Sequence, residues 1–133
     1  MTKKPVREVA DLVGMTLRSV TQEGVESLTF TTTDGRVFRL FHDQDCCEDV
    51  TIDDVCGDLQ AIVGSPIIMA EEACGGVLPD IAVERANERY LTESETWTFY
   101  KFATVKGYLT VRWFGTSNGY YSESVDFCEM TPP

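Results

Sequence analysis

Nine residues, Phe41-His42-Asp43-Gln44-Asp45-Cys46-Cys47-Glu48-Asp49, hold the chain's one histidine, two adjacent cysteines and four carboxylates. Three chemistries could draw on such a set. His42, Cys46 and Cys47, with Cys56 as a fourth ligand, have the atom types of a zinc site, but structural zinc sites space their paired cysteines two to four residues apart. Adjacent cysteines lean to opposite sides of an extended chain, so the spacing argues against zinc. Asp43, Asp45, Glu48 and Asp49 could hold a hard cation, although the glycine and closing glutamate of an EF-hand loop are missing; the identity of any metal stays open. Cys46 or Cys47 with His42 as base could form a thiol nucleophile, yet the surrounding carboxylates disfavour a thiolate.

A second stretch, Gly115-Thr116-Ser117-Asn118-Gly119-Tyr120-Tyr121, offers turn amides, hydroxyls and two tyrosines to a small polar ligand. Asn118, Tyr120 and Tyr121 are its candidate binding residues, beside His42, Asp43, Asp45, Cys46, Cys47, Glu48 and Asp49 of the first stretch. No glycine-rich phosphate loop, GxSxG or HExxH motif accompanies them. A non-enzymatic protein without a cofactor is therefore expected.

The elements that must position these loops are mostly strands. Pro5 to Val13 carries apolar residues at helical spacing and stops at Gly14, so a first helix is expected there. A strand at 16–22 follows. Ser27 to Thr33 and Arg36 to Phe41 are β-branched and aromatic runs around Asp34-Gly35, the signature of a two-residue type I′ hairpin. Under that register Leu28, Phe30, Val37 and Phe41 share one face, and His42 points with Phe38 and Leu40. Val50 to Val55 is strand-like, and Asp54 or Asp58 can cap a short helix through Val63. Pro66 to Cys74 is strand-like again, and 75–95 is an irregular excursion. Thr96 to Thr104 and Tyr108 to Phe114 form a hairpin around Lys106-Gly107, followed by a strand from Tyr120 to Phe127. That pairing puts Tyr100, Phe102, Leu109, Val111 and Trp113 on one face. Trp97, Phe99, Tyr108 and Phe114 take the other, with Lys101 and Arg112.

The two halves of the chain are weakly alike. Leu12-Val13-Gly14-Met15-Thr16-Leu17 matches Ile62-Val63-Gly64-Ser65-Pro66-Ile67, Phe38 to Phe41 matches Val111 to Phe114, and Asp54-Val55-Cys56 matches Asp126-Phe127-Cys128. The expected fold is thus a single α+β domain over 1–133, mainly antiparallel. Two helix-plus-four-strand halves, 5–56 and 57–128, would pack face to face as a pseudo-two-fold sandwich, with Cys56 and Cys128 related.

Charge is distributed unevenly. Between Arg39 and Arg85 there is no Lys or Arg, while eleven of the chain's 22 acids fall there and account for the whole net charge of −11. Such a segment repels nucleic acid and attracts a basic partner. Five cysteines without a CxxC pair, after a start that is not an apolar leader, suggest reduced thiols in a cytoplasm. No run of about 18 apolar residues predicts a membrane segment.

The segments Phe41 to Glu48, Trp97-Thr98-Phe99-Tyr100-Lys101-Phe102-Ala103-Thr104 and Tyr120-Tyr121-Ser122-Glu123-Ser124-Val125-Asp126-Phe127 resemble a family of small bacteriophage and prophage proteins with no assigned active site. The resemblance covers most of the chain outside 75–95. It implies a non-enzymatic protein that binds and neutralises a host component, as anti-CRISPR and other anti-defence inhibitors do. The expected partner is a host protein with a basic surface, met in the host cytoplasm. Alternatives are a small-ligand or metal-binding module acting as a sponge for a signal molecule, and a virion or assembly component built on a homo-oligomer.

Overall fold

The computed structural model describes residues 2–44, 47–74, 94–117 and 123–131; the expected excursion lies outside them up to Glu93. Nine strands form among the described residues: β1 (Thr2–Val6), β2 (Leu17–Glu23), β3 (Ser27–Thr32), β4 (Val37–Phe41), β5 (Asp49–Gly57), β6 (Met69–Cys74), β7 (Ser94–Thr104), β8 (Gly107–Ser117) and β9 (Asp126–Thr131). They build a five-stranded sheet in the order β1-β9-β4-β3-β2 and a four-stranded sheet in the order β5-β8-β7-β6. Every pairing between these strands is antiparallel. The β-rich, antiparallel part of the expectation holds.

Its helical part does not. The start of the expected Pro5 to Val13 helix is claimed instead by strand pairing: β1 joins β9, and the amide of Arg7 donates to the Phe127 carbonyl at 2.7 Å. Only one 3-10 turn, Val9–Leu12, remains before Gly14. The second expected helix is likewise a single 3-10 turn, Leu59–Ile62, N-capped by Asp58, whose carboxylate accepts from the Gln60 amide at 2.9 Å. Val55 lies in β5, as the strand expected at Val50 to Val55 requires, so it is not part of the turn that Asp58 caps.

The two hairpins show how register sets faces. In the first, Thr31 pairs with Val37 and the Thr32 amide donates to the Arg36 carbonyl, leaving Thr33, Asp34 and Gly35 as a three-residue loop. Gly35 alone takes positive φ, at 88°, whereas a type I′ turn would require it of Asp34 as well. The slip from two residues to three flips β4: Leu28 and Phe30 face Leu40 and Phe38, while Val37 and Phe41 turn away. In the second hairpin Thr104 pairs with Gly107 around Val105-Lys106. This slip is even, so Tyr100, Phe102, Leu109, Val111 and Trp113 share a face as expected, and all five are buried.

The halves are not the layers of the sandwich. β2, β3 and β4 form a meander, after which the chain crosses and β5 adds to the opposite sheet beside β8; β6, β7 and β8 form the second meander, and β9 crosses back beside β4. Near the two 3-10 turns, the Gly14 amide donates to the Ile67 carbonyl at 2.8 Å and the Gly64 amide to the Leu17 carbonyl at 2.9 Å. Both glycines sit near φ +90°, a region that costs other residues strain. The third sequence match does not correspond in space: Phe41 pairs with Asp126, but Phe114 pairs with Thr51, so Asp54 to Cys56 is out of step with Asp126 to Cys128. Cys56 is exposed and Cys128 is buried.

Between the sheets lies one apolar core of Leu17, Leu28, Phe30, Phe38, Leu40, Ile52, Ile62, Ile67, Phe102, Val111, Trp113 and Phe127 with their neighbours. Phe30 and Phe102 meet across the sheets at 5.4 Å, and Phe38 stacks on Phe127 at 5.5 Å. A smaller cluster, Trp97 with Phe114, lies on the other face of the four-stranded sheet. Arg112 covers Trp97 at 5.3 Å and is pinned to buried Asp53 at 2.6 Å. At one end of the five-stranded sheet, Arg7 and Arg36 both grip the largely buried carboxylate of Glu129. The Glu129 hydrogen bond holds the Arg36 guanidinium above its ordinary pKa. Among the described residues no helix is long and apolar enough to cross a membrane.

Candidate functional site

Both chain crossings between the sheets lie at the same end of the sandwich, and His42 ties them together. As the second residue beyond Leu40 it keeps the inward direction of Phe38 and Leu40. Its Nδ1–H donates to the Ser124 carbonyl at 2.6 Å, on the β8–β9 crossing. Its Nε2 meets the Glu48 carboxylate at 2.8 Å, on the β4–β5 crossing, with the two side chains 5% and 0% exposed. Gln44 closes the loop by donating from Nε2 to the Glu48 backbone carbonyl at 2.6 Å and to Glu48 Oε1 at 3.0 Å. Both ring nitrogens of His42 thus face oxygen acceptors, a pattern that uses both N–H groups of an imidazolium. A second tie joins the Asp43 amide to Asp126 Oδ2 at 3.3 Å.

These contacts redistribute the candidate residues. The His42 ring and the Glu48 carboxylate are interior and bonded to each other. Asp43 and Asp49 are exposed. Together with Glu26, Arg39, Phe41, Gln44, Val50 and Thr51 they line a groove of about 450 Å³ beside the β4 end, to which His42 forms part of the wall. Arg39 lies over the Phe41 ring at 5.0 Å and donates to Ser27 Oγ at 3.3 Å. Asp45, Cys46, Asn118, Tyr120 and Tyr121 lie outside the described residues.

Cys47 is exposed and disulfide-bonded, whereas Cys56 and Cys128 form no disulfide. The expectation of five reduced thiols is corrected at this position. A disulfide at Cys47 and two engaged nitrogens on His42 also remove both from the zinc set, and Cys47 from the thiol-nucleophile reading. Among the described residues no three His, Cys, Asp or Glu side chains are placed to hold a metal ion.

Sequence reasoning passed over the second buried carboxylate at this end. Along β8, Trp113, Gly115 and Ser117 share the inner face, the alternation expected of a strand. Glu123 lies over Gly115: a Cβ there would come within 2.9 Å of the Glu123 Cβ and 3.2 Å of a Val50 methyl. Ser117 Oγ donates to Glu123 Oε2 at 2.5 Å. Nearby on the inner face, the Tyr100 hydroxyl donates to Glu72 at 2.8 Å. In Tyr121-Ser122-Glu123-Ser124 the glutamate looks like the polar phase of an alternating strand. The signal available was Gly115, whose missing side chain marks a close approach within a strand.

No curated protein and no solved structure matches the chain. Residues 10–127 match the family model described as Domain of unknown function (DUF7448), and the chain belongs to that family.

Proposed function

We propose that the protein is a non-catalytic binding protein that engages a basic surface of a partner protein through the acidic groove beside β4 and β5. The observation that carries this reading is the separation of roles within 42–49. The groups with catalytic potential, His42 and Glu48, are locked inside, whereas Asp43 and Asp49 line an open groove with Glu26. The groove sets these three acids against one base, Arg39, and Asp43 and Asp49 open the stretch up to Arg85 that holds eleven acids and no Lys or Arg. Desolvating charge at the centre of such an interface gives specificity, and the surrounding negative field speeds encounter with a cationic patch.

The partner we propose is a host defence protein and the source a bacteriophage or prophage, a reading supported by the resemblance of Phe41 to Glu48, Trp97 to Thr104 and Tyr120 to Phe127 to phage proteins. The test is affinity capture from bacterial lysate with the wild-type chain and with a Glu26→Gln, Asp43→Asn, Asp49→Asn variant. The variant should lose the captured protein while keeping its melting temperature, and raising salt from about 0.05 to 0.5 M should weaken the wild-type complex, since screening shortens to a few ångströms over that range. An identical captured set from the two chains would sink the proposal.

A further inference from the structure

The acidic groove contains one cation, and its neighbours hold that cation in place. Arg39, half-buried on β4, lines the groove with Glu26, Asp43 and Asp49. Its guanidinium lies over the Phe41 ring at 5.0 Å, and Nη2 donates to Ser27 Oγ at 3.3 Å. Fully buried Ser27 gives its own hydroxyl proton to Glu23 Oε1 at 2.8 Å, which leaves its oxygen to accept from Arg39. An aromatic face and a hydroxyl thus orient the fork before any ligand arrives. Of the five N–H donors on a guanidinium, these contacts engage one. Three carboxylates share the groove, yet among the described residues none forms an ion pair with Arg39. Asp43 lies four residues further along the chain, at most about 13 Å away in extended form.

We infer that Arg39 receives a carboxylate of the partner, so that the segment recognised is extended and carries one acidic side chain between basic ones. This inference rests on the role proposed above for the groove and names the chemistry of what enters it. A stacked guanidinium with an open fork suits a carboxylate, which it grips through two parallel N–H···O bonds. Lysine or arginine side chains on either side of that carboxylate then meet Asp43, Asp49 and Glu26. In an extended segment, side chains of one phase recur about every 6.7 Å, so a cation two or four places from the acid reaches Asp43. Charge decides between this partner and a wholly basic one. Facing only cations, Arg39 would oppose binding through like charge, whereas a carboxylate over it turns the same residue into an anchor.

NMR titration of the full chain at low salt with two acetylated and amidated peptides, Lys-Thr-Glu-Thr-Lys and Lys-Thr-Gln-Thr-Lys, tests this. The glutamine peptide has the greater positive charge, so a groove that reads charge alone prefers it. With Arg39 as anchor the order is reversed: the glutamate peptide should bind about fivefold tighter and shift the Arg39 Nε–H signal. Arg39→Gln should restore the preference for the glutamine peptide. A glutamine peptide that binds wild type as tightly or tighter overturns the inference, whatever the variant does, and leaves the acidic-groove reading standing. A glutamate preference kept by a folded Arg39→Gln chain overturns it too, as does the failure of both peptides to shift the groove signals. The acidic-groove reading has its own test in the Glu26, Asp43 and Asp49 capture variant, so the two fail separately.

Discussion

Removing the Glu48 carboxylate is the most direct test of the crossing tie. Its two oxygens accept from His42 Nε2 and Gln44 Nε2, at 2.8 and 3.0 Å, with the side chain fully buried. Glu48→Leu strips His42 Nε2 of its acceptor in a space closed to water, while exposed Gln44 keeps the backbone carbonyl of residue 48 at 2.6 Å. Breaking a buried pair from one side costs about 3–5 kcal/mol. At about 2.1 cal/mol/K of unfolding entropy per residue, a 133-residue chain loses roughly 10–18 °C in melting temperature. Glu48→Gln is milder. A glutamine oxygen can still accept from Gln44 while its amide donates to a neutral His42 ring, so only the charge assistance is lost, about 1–2 kcal/mol.

The assay is urea unfolding of four chains: wild type, Glu48→Leu, His42→Phe and the double variant. The two sites touch, so their effects should fall short of additivity by at least about 1.5 kcal/mol. Additive losses, or a Glu48→Leu chain that melts within about 2 °C of wild type, would show that the pair does not hold the crossings together. The same variants separate stability from recognition, because Asp43 and Asp49 can be neutralised without touching this network.

Three further outcomes follow from the geometry. Gly115→Ala drives a methyl against the Glu123 stem at 2.9 Å, and overpacking of this kind should cost about 1–3 kcal/mol in denaturant unfolding; an unchanged midpoint would mean that the β8–β9 crossing yields freely. Arg112→Lys loses the fork that holds Asp53 through Nε at 2.8 Å and Nη2 at 2.6 Å, together with its cover over Trp97. It should lower stability by about 1–3 kcal/mol and alter tryptophan fluorescence, whereas unaltered emission would place Trp97 outside its influence. Asp34 has its pKa lowered, chiefly by the Thr32 hydroxyl donating to it. Its stabilising contribution is therefore present above the ordinary carboxylate range and lost as pH falls through the depressed folded value. Carbon-detected NMR titration should find Asp34 below an unstructured aspartate, and Thr32→Val should return it there.

The strands were legible because long β-branched and aromatic runs carry their own period, whereas the face of β4 depended on one residue of loop. Asp34-Gly35 advertises a two-residue turn, but the Thr32 hydroxyl binds Asp34 and takes the Arg36 amide. The loop then closes one residue earlier and β4 turns over. The Lys106-Gly107 reading was also off by a residue on each strand, yet its faces survived because the error was even. Helix periodicity in Pro5 to Val13 failed for a different reason: β9, more than 110 residues away in sequence, offered β1 a ladder that local spacing cannot reveal. Long-range pairing also decided the site. His42 could be singled out from its type and its inward phase, but not its partners Glu48 and Ser124, nor Glu123, because these meet only where two crossings between sheets converge. A cluster dense in sequence was thereby divided in space, its histidine and one glutamate drawn into the interior and its aspartates 43 and 49 left on a groove. The chemistry implied by composition therefore had to be reassigned residue by residue once burial was known, and recognition by Asp43 and Asp49 can be tested without disturbing the pair that holds the loop.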